Sequence, residues 1–194
     1  LEFRRVLFRS LSRQLKGNAR FSAELTDQKI DLLFKLAPLH DIGKVGVPDR
    51  ILLKPGKLDQ EEFEIMKTHT TIGVEAIEQA ERSLGTNVEY LQIAKEIIRH
   101  HQEKWDGSGY PDGLTGEEIS IYSRLMTVAD VYDALISNRV YRKGLTHEQV
   151  VQIIRDSSGS HFDPGLVNAF LSVQDAFKEI AQQFADHDTL MEKG

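Results

Sequence analysis

Four stretches of the chain combine imidazole and carboxylate groups in a pattern that suits metal chemistry. His40 and Asp41 are adjacent at the end of an apolar run and lead into Ile42-Gly43-Lys44. His69 falls within Lys67-Thr68-His69-Thr70, inside a segment of helical periodicity. His100 and His101 stand side by side just before a glycine-rich loop, and Asp130 lies among Leu125, Met126, Val128, Ala129 and Val131. The apolar pattern predicts burial at these positions. An ionised carboxylate is expensive to bury alone, so Asp41 and Asp130 require a metal, another cation or a hydrogen-bond network.

Imidazoles and carboxylates without thiolates are the donor set of Fe, Mn, Co or Zn in catalytic sites. Adjacent helical residues point about 100° apart, so a His-Asp or His-His pair suits two neighbouring ions better than one. Two ions about 3.5–4 Å apart, bridged by a carboxylate, lower the pKa of a shared water and clamp a phosphoryl oxygen. That is the chemistry of phosphoester hydrolysis. Each group also has a plainer reading. A lone buried histidine is usually a hydrogen-bonded core residue, and His147, His161 and His187 are read that way. An aspartate in an apolar helix often pairs with a cation, and Arg124 or Arg139 could serve Asp130. The glycine-rich loop alone is only a tight loop. What favours a metal site is the recurrence of His-Asp, His, His-His and Asp, in that order, on successive helices.

The elements that position these residues are helical. Apolar residues at 30, 32, 33, 36 and 39 recur at helical spacing behind Thr26 and Asp27 as start signals. Further helices are predicted from Asp59 to about Ser83, Asn87 to His101 and Glu117 to Ser137. Two more begin at Thr146 and at Asp163-Pro164, the last reaching about Asp186. Residues 47–56 and 105–113 are rich in turn formers. The fold class is all-α, a bundle of six to seven helices. The chain has 194 residues, ample for one domain. It lacks cysteine, which excludes disulfides, thiolate catalysis and iron–sulfur clusters. Hydrophobic content of 40%, charged content of 28% and a mean hydropathy of -0.35 are those of a globular protein. With no membrane-length apolar run and no secretory signal, the expected compartment is the cytoplasm.

Charge is unevenly spread. Residues 1–20 hold six basic groups (Arg4, Arg5, Arg9, Arg13, Lys16, Arg20) against Glu2, whereas the remaining 174 carry 18 basic and 29 acidic residues. So acidic a body is a poor partner for DNA. The opening LEFRRVLFRS differs in character from the rest of the chain. The expected division is a basic, foreign or truncated segment at 1–10, a domain at 11–187 and a tail at 188–194.

HDIGK at 40–44, His100-His101, DGSGYPDG at 106–113 and ADVYDAL at 129–135 resemble the motifs of HD-GYP domains. These are a bacterial branch of the HD phosphohydrolases that hydrolyse cyclic di-GMP, and the resemblance spans about residues 11–185. It implies an HD-type helical bundle in which His40, Asp41, His69, His100, His101 and Asp130 hold two divalent ions, Fe or Mn, with Asp41 bridging. It implies catalytic roles for Asp41 and Lys44, with Lys44 on the scissile phosphate. Arg139 and Arg142 look like the family's basic pair that grips substrate phosphates. Gly109, Tyr110 and Pro111 form the signature loop, which in the family borders the active site and docks diguanylate-cyclase (GGDEF) domains.

The activity implied is hydrolysis of cyclic di-GMP to pGpG or GMP by a metal-bound hydroxide. The domain resembles the output half of a response regulator whose upstream receiver domain lies outside this chain, and a homodimer is compatible with it. Many relatives add a Glu and a His, four residues apart, from the helix preceding the one that leads into HD. Counting back places that pair at or before residue 1, which makes a third ion doubtful. The alternatives are a catalytically weak module that binds cyclic di-GMP or a partner, and an HD-type nucleotidase.

Overall fold

A computed structural model describes residues 2–85, 89–138 and 143–191, and these form helices without a strand; two isolated bridges, Asp106–Thr115 and Ser158–Phe162, are the only sheet-like pairings among them. The helices are α1 (Glu2–Leu15), α2 (Asp27–Leu36), α3 (Asp49–Leu52), α4 (Gln60–Lys67), α5 (His69–Leu84), α6 (Glu89–His100), α7 (Ile121–Ile136), α8 (His147–Asp156), α9 (Pro164–Ser172) and α10 (Gln174–Met191). A 3₁₀ segment, Ala37–Gly46, follows α2 directly. Pro38 explains the switch, because it has no N–H to continue the α-helical ladder. None of the helices is long and apolar enough to cross a membrane.

The core is organised around α7, which buries Leu125, Met126, Val128, Ala129 and Tyr132 against α1, α6 and α8. A smaller cluster of Leu36, Ile77, Ala94 and Ile98 fills the space beneath α5 and α6. Side-chain caps set several helix starts: Thr26, Asp59, Thr146 and Asp163 accept from the backbone N–H of Lys29, Glu62, Gln149 and Gly165.

The structure departs from the sequence reading in three places. One helix runs unbroken through residue 10, and its Leu7, Phe8, Leu11 and Leu15 are fully or almost fully buried, so residues 2–10 pack as part of the core. The segment from Asp59 is two helices, divided at Thr68. There the Thr68, Thr70 and Thr71 hydroxyls donate to the carbonyls of Ile65, Lys67 and Thr68, offering the backbone an alternative to one continuous ladder. The last segment likewise divides at Val173 into α9 and α10. These divisions, with the short α3, give more helices than the six to seven expected. Arg139 and Arg142 lie outside the described residues.

Candidate metal centre

Three elements converge on one point. The 3₁₀ segment supplies His40, Asp41 and Lys44; α5 opens with His69; His101 follows the last residue of α6. Their approach is close enough to need glycine. A Cβ on Gly43 would lie 1.9 Å from the His69 carbonyl oxygen and 2.5 Å from the Gly73 nitrogen. Gly43 and Gly73 therefore let the backbone carrying Asp41 rest directly on the helix carrying His69.

The tautomers follow from the hydrogen bonds. His69 Nδ1 lies 2.8 Å from the Met66 carbonyl, and His101 Nδ1 lies 3.1 and 3.0 Å from those of Ile97 and Ile98. A carbonyl can only accept, so each Nδ1 carries a proton, and the neutral tautomer this selects turns a lone pair outward at Nε2. The two Nε2 atoms are 3.3 Å apart, and each is 3.7 Å from Asp41 Oδ1. Three ligand atoms of Asp41, His69 and His101 thus lie within 4.8 Å of one another. Asp41 Oδ1 is buried with no hydrogen-bond partner.

Burial alone would raise the Asp41 carboxyl, but the Lys44 ammonium 2.7 Å from Oδ2 opposes it, and the group is held below the ordinary carboxylate range. Burial, aided by the neighbouring His101, lowers His69, which keeps that ring neutral and able to ligate. Two imidazole nitrogens and a carboxylate oxygen facing one point form an N/O donor set that fits a divalent transition metal. The backbone carbonyls that fix the two rings are partners of the kind that ligating histidines ordinarily have.

The other expected ligands are arranged differently. His40 Nδ1 donates to the Ala37 carbonyl at 2.7 Å, and its Nε2 is 3.1 Å from Asp41 Oδ2. Arg4 of α1 reaches into this side of the site. Its guanidinium bonds His40 Nε2, lies 2.7 Å from Asp130 Oδ1 and 3.4 Å from Asp41 Oδ2, and pairs with Asp133 at 2.8 Å. Helix α1, which precedes the helix leading into His40-Asp41, thus faces the site with Arg4. His100 is not drawn into the three-residue group: its Nε2 is 2.9 Å from Asp112 Oδ2, which Arg99 also grips through two bonds. Lys44 Nζ is 2.7 Å from Asp41 Oδ2 and its side chain is 39% exposed, so the ammonium stands at the mouth of the site.

The signature loop closes one wall. The Tyr110 ring meets that of His69 edge-on at 6.4 Å. Burial, with the charges of Asp41 and Asp130, pushes its phenol well up, so it keeps its proton as a donor. The Tyr110–Pro111 peptide is cis. A Cβ on Gly109 would stand 2.4 Å from the Lys104 nitrogen, which accounts for glycine at that position.

Glu103 holds the loop from within, and neither residue type nor spacing marks it in the sequence reading. It is 1% exposed and accepts from the backbone N–H of Asp112, Gly113 and Leu114 at 2.7, 3.1 and 3.2 Å. The signal that could find it is the run of N–H groups after Pro111, in a turn too tight to pair them internally. Arg4 was also legible, because residues 4, 8, 11 and 15 share one helical face.

Residues 1–166 match the HD domain model, and the chain belongs to the HD domain family. Its Gly109-Tyr110-Pro111 loop resembles the signature of the HD-GYP branch. A cyclic di-GMP phosphodiesterase of Vibrio cholerae serotype O1 is 53% identical over 178 residues, 92% of this chain and 36% of the relative. A 3′3′-cGAMP-specific phosphodiesterase (number 2) of the same organism is 43% identical over 162 residues, 84% of this chain and 30% of the relative. The chain thus spans about a third of the length of these relatives. A solved HDGYP protein from Bdellovibrio bacteriovorus shares the fold, with a TM-score of 0.60 and 22% identity over 90% of this chain and 51% of that one.

Proposed function

We propose that this chain is the catalytic part of a metal-dependent phosphodiesterase that hydrolyses cyclic di-GMP to pGpG or GMP. The observation that carries the reading is the convergence of Asp41 Oδ1, His69 Nε2 and His101 Nε2, with both ring protons committed to backbone carbonyls. These three residues would hold a divalent ion, Fe or Mn, which supplies Lewis acidity toward water and a phosphoryl oxygen. Lys44, at the mouth, meets a phosphate oxygen and offsets the charge that develops there. The Tyr110 phenol donates a hydrogen bond, and the loop pinned by Glu103 excludes bulk water. In the balanced reaction a water oxygen bonds to phosphorus, the bond to the 3′ ribose oxygen breaks, and that oxygen takes up a proton.

A second ion would use His40, Asp41 Oδ2 and Asp130, and must displace the Arg4 guanidinium to do so. Arg139 and Arg142 remain candidates for the distal phosphate, and His100 for a ligand only if it leaves Asp112. A receiver domain upstream, a GGDEF partner at the signature loop, self-association and a cytoplasmic setting belong to the same reading, supported by the resemblance alone.

The 43% identical relative gives 3′3′-cGAMP as the second substrate to weigh. The test is turnover of both cyclic dinucleotides by protein purified without oxygen and loaded with Fe(II) or Mn(II), beside Asp41→Asn. Cyclic di-GMP should be hydrolysed, and the variant should lose roughly a thousandfold or more in rate together with its metal. Faster hydrolysis of 3′3′-cGAMP would reassign the substrate. Full activity in Asp41→Asn, or nucleotide binding without turnover, would overturn the reading.

A further inference from the structure

The mouth of the metal centre carries a feature that hydrolysis itself does not use. Helix α4 buries none of its side chains. Yet Phe63 on this helix sets its ring 6.0 Å from that of Tyr110 at 85°, while 42% of the residue stays exposed. Tyr110 in turn lies edge-on to the ligand-bearing ring of His69. A file of three rings therefore leads from the metal ligands to solvent and ends in an open phenyl face. Lys67, one turn along α4, stands over the last two: its Nζ is 5.6 Å from the Phe63 centroid and 5.8 Å from that of Tyr110. An ion pair with Glu64 at 2.6 Å steadies it there. A single exposed apolar side chain is ordinary. A phenyl that continues the wall of a phosphate-handling site, beneath an ammonium, is a different arrangement.

We infer that Phe63 and Lys67 of α4 form the base-binding arm of the site, with a purine of the substrate stacking on the Phe63 ring and the Lys67 ammonium meeting the phosphate that is not being cleaved. The substrate class rests on the proposed phosphodiesterase reading; the platform rests on the rings themselves. Aromatic stacking suits any base, since each has a π face. The arm therefore adds affinity for a dinucleotide without selecting guanine over adenine, and that choice falls to other residues.

Because α4 lies outside the core, its variants keep the fold. Phe63→Leu preserves apolar bulk but removes the π face. It should raise KM for cyclic di-GMP roughly tenfold, the effect of about 1.4 kcal/mol of lost stacking. The KM for 3′3′-cGAMP should rise by a similar factor, and Phe63→Trp should restore both. Lys67→Gln should weaken binding and flatten its dependence on salt, as loss of a phosphate contact does. The same variants are then titrated calorimetrically with the hydrolysis-resistant bis-phosphorothioate of cyclic di-GMP. Should the wild type bind this analogue without turning over substrate, and Phe63→Leu bind it more weakly, the hydrolytic reading fails while the arm stands. Equal KM values in wild type and Phe63→Leu, a Trp variant no better than Leu, or no binding of the analogue by any form would overturn the arm.

Discussion

At Asp41 one carboxylate serves two different neighbourhoods. Its Oδ1 faces two imidazole lone pairs and has no partner, whereas its Oδ2 is surrounded by His40, Lys44 and Arg4. Arg4 delivers a positive charge to the carboxylates of Asp41, Asp130 and Asp133, the role a second divalent ion would play. On the proposed reading, Arg4 and a second ion would be alternatives for one space. Arg4→Ala should therefore raise the metal content from about one ion to about two per chain, measured by elemental analysis after anaerobic loading with Mn(II). Without metal the same variant leaves partly buried carboxylates unpaired and should lose about 3 kcal/mol of stability. Added metal should recover most of that loss. An unchanged stoichiometry would show that His40 and Asp130 are held by Arg4 for structural reasons alone.

Between elements, the decisive contact is backbone on backbone. Gly43 brings the 3₁₀ segment against α5, and with it Asp41 against His69. Gly43→Ala must part these elements by about an ångström or more, because the atoms it meets are main-chain and cannot rotate away. We expect a stability loss of about 1–3 kcal/mol. A larger effect should fall on the metal, with affinity down roughly tenfold or more by competition with a chelator. Wild-type affinity in that variant would mean that the ligands are placed independently of this contact. Much at this scale was legible in the sequence, since Thr26, Asp59, Thr146 and Asp163 each cap the helix they were expected to start. The grouping of Asp41, His69 and His101 was legible from residue type and order. Less visible was which of two adjacent histidines faces inward. Neighbours on a helix point roughly 100° apart, and here packing turns His101 toward Asp41 and His69 while His100 turns to Asp112. The break at Thr68 was hidden for a related reason. Periodicity continues across it, and only the hydroxyl-to-carbonyl bonds of three threonines reveal the division.

Across the whole molecule, the charge asymmetry of the sequence becomes a set of long-range ion pairs. The basic first twenty residues reach the acidic body through Arg4 to Asp130 and Asp133, Arg9 to Asp31, Lys16 to Asp27, and Arg20 to Glu117 and Asp163. Most of these are exposed and contribute little singly. The pH dependence of stability must then come from more deeply placed groups, and His161 is one. It stacks on Phe162 at 4.4 Å, and its carbonyl accepts from Trp105 N–H, tying the loop ahead of the signature motif to the turn before α9. Burial, helped by Lys104, lowers His161 from its ordinary 6.5 to about 4. Between those values the unfolded chain binds a proton that the folded chain refuses. Stability from this group is therefore complete above about pH 6.5 and lost as pH falls toward 4, with an upper limit of roughly 3 kcal/mol. His161→Phe keeps the aromatic stack and the backbone bond but cannot titrate. Thermal unfolding of metal-free protein between about pH 7 and pH 4 should show a shallower fall in Tm for this variant than for the wild type, with the two converging in slope below about pH 4. Parallel curves over the whole range would locate the acid sensitivity in His69 and His147, whose rings burial also lowers, and not at the join between loop and bundle.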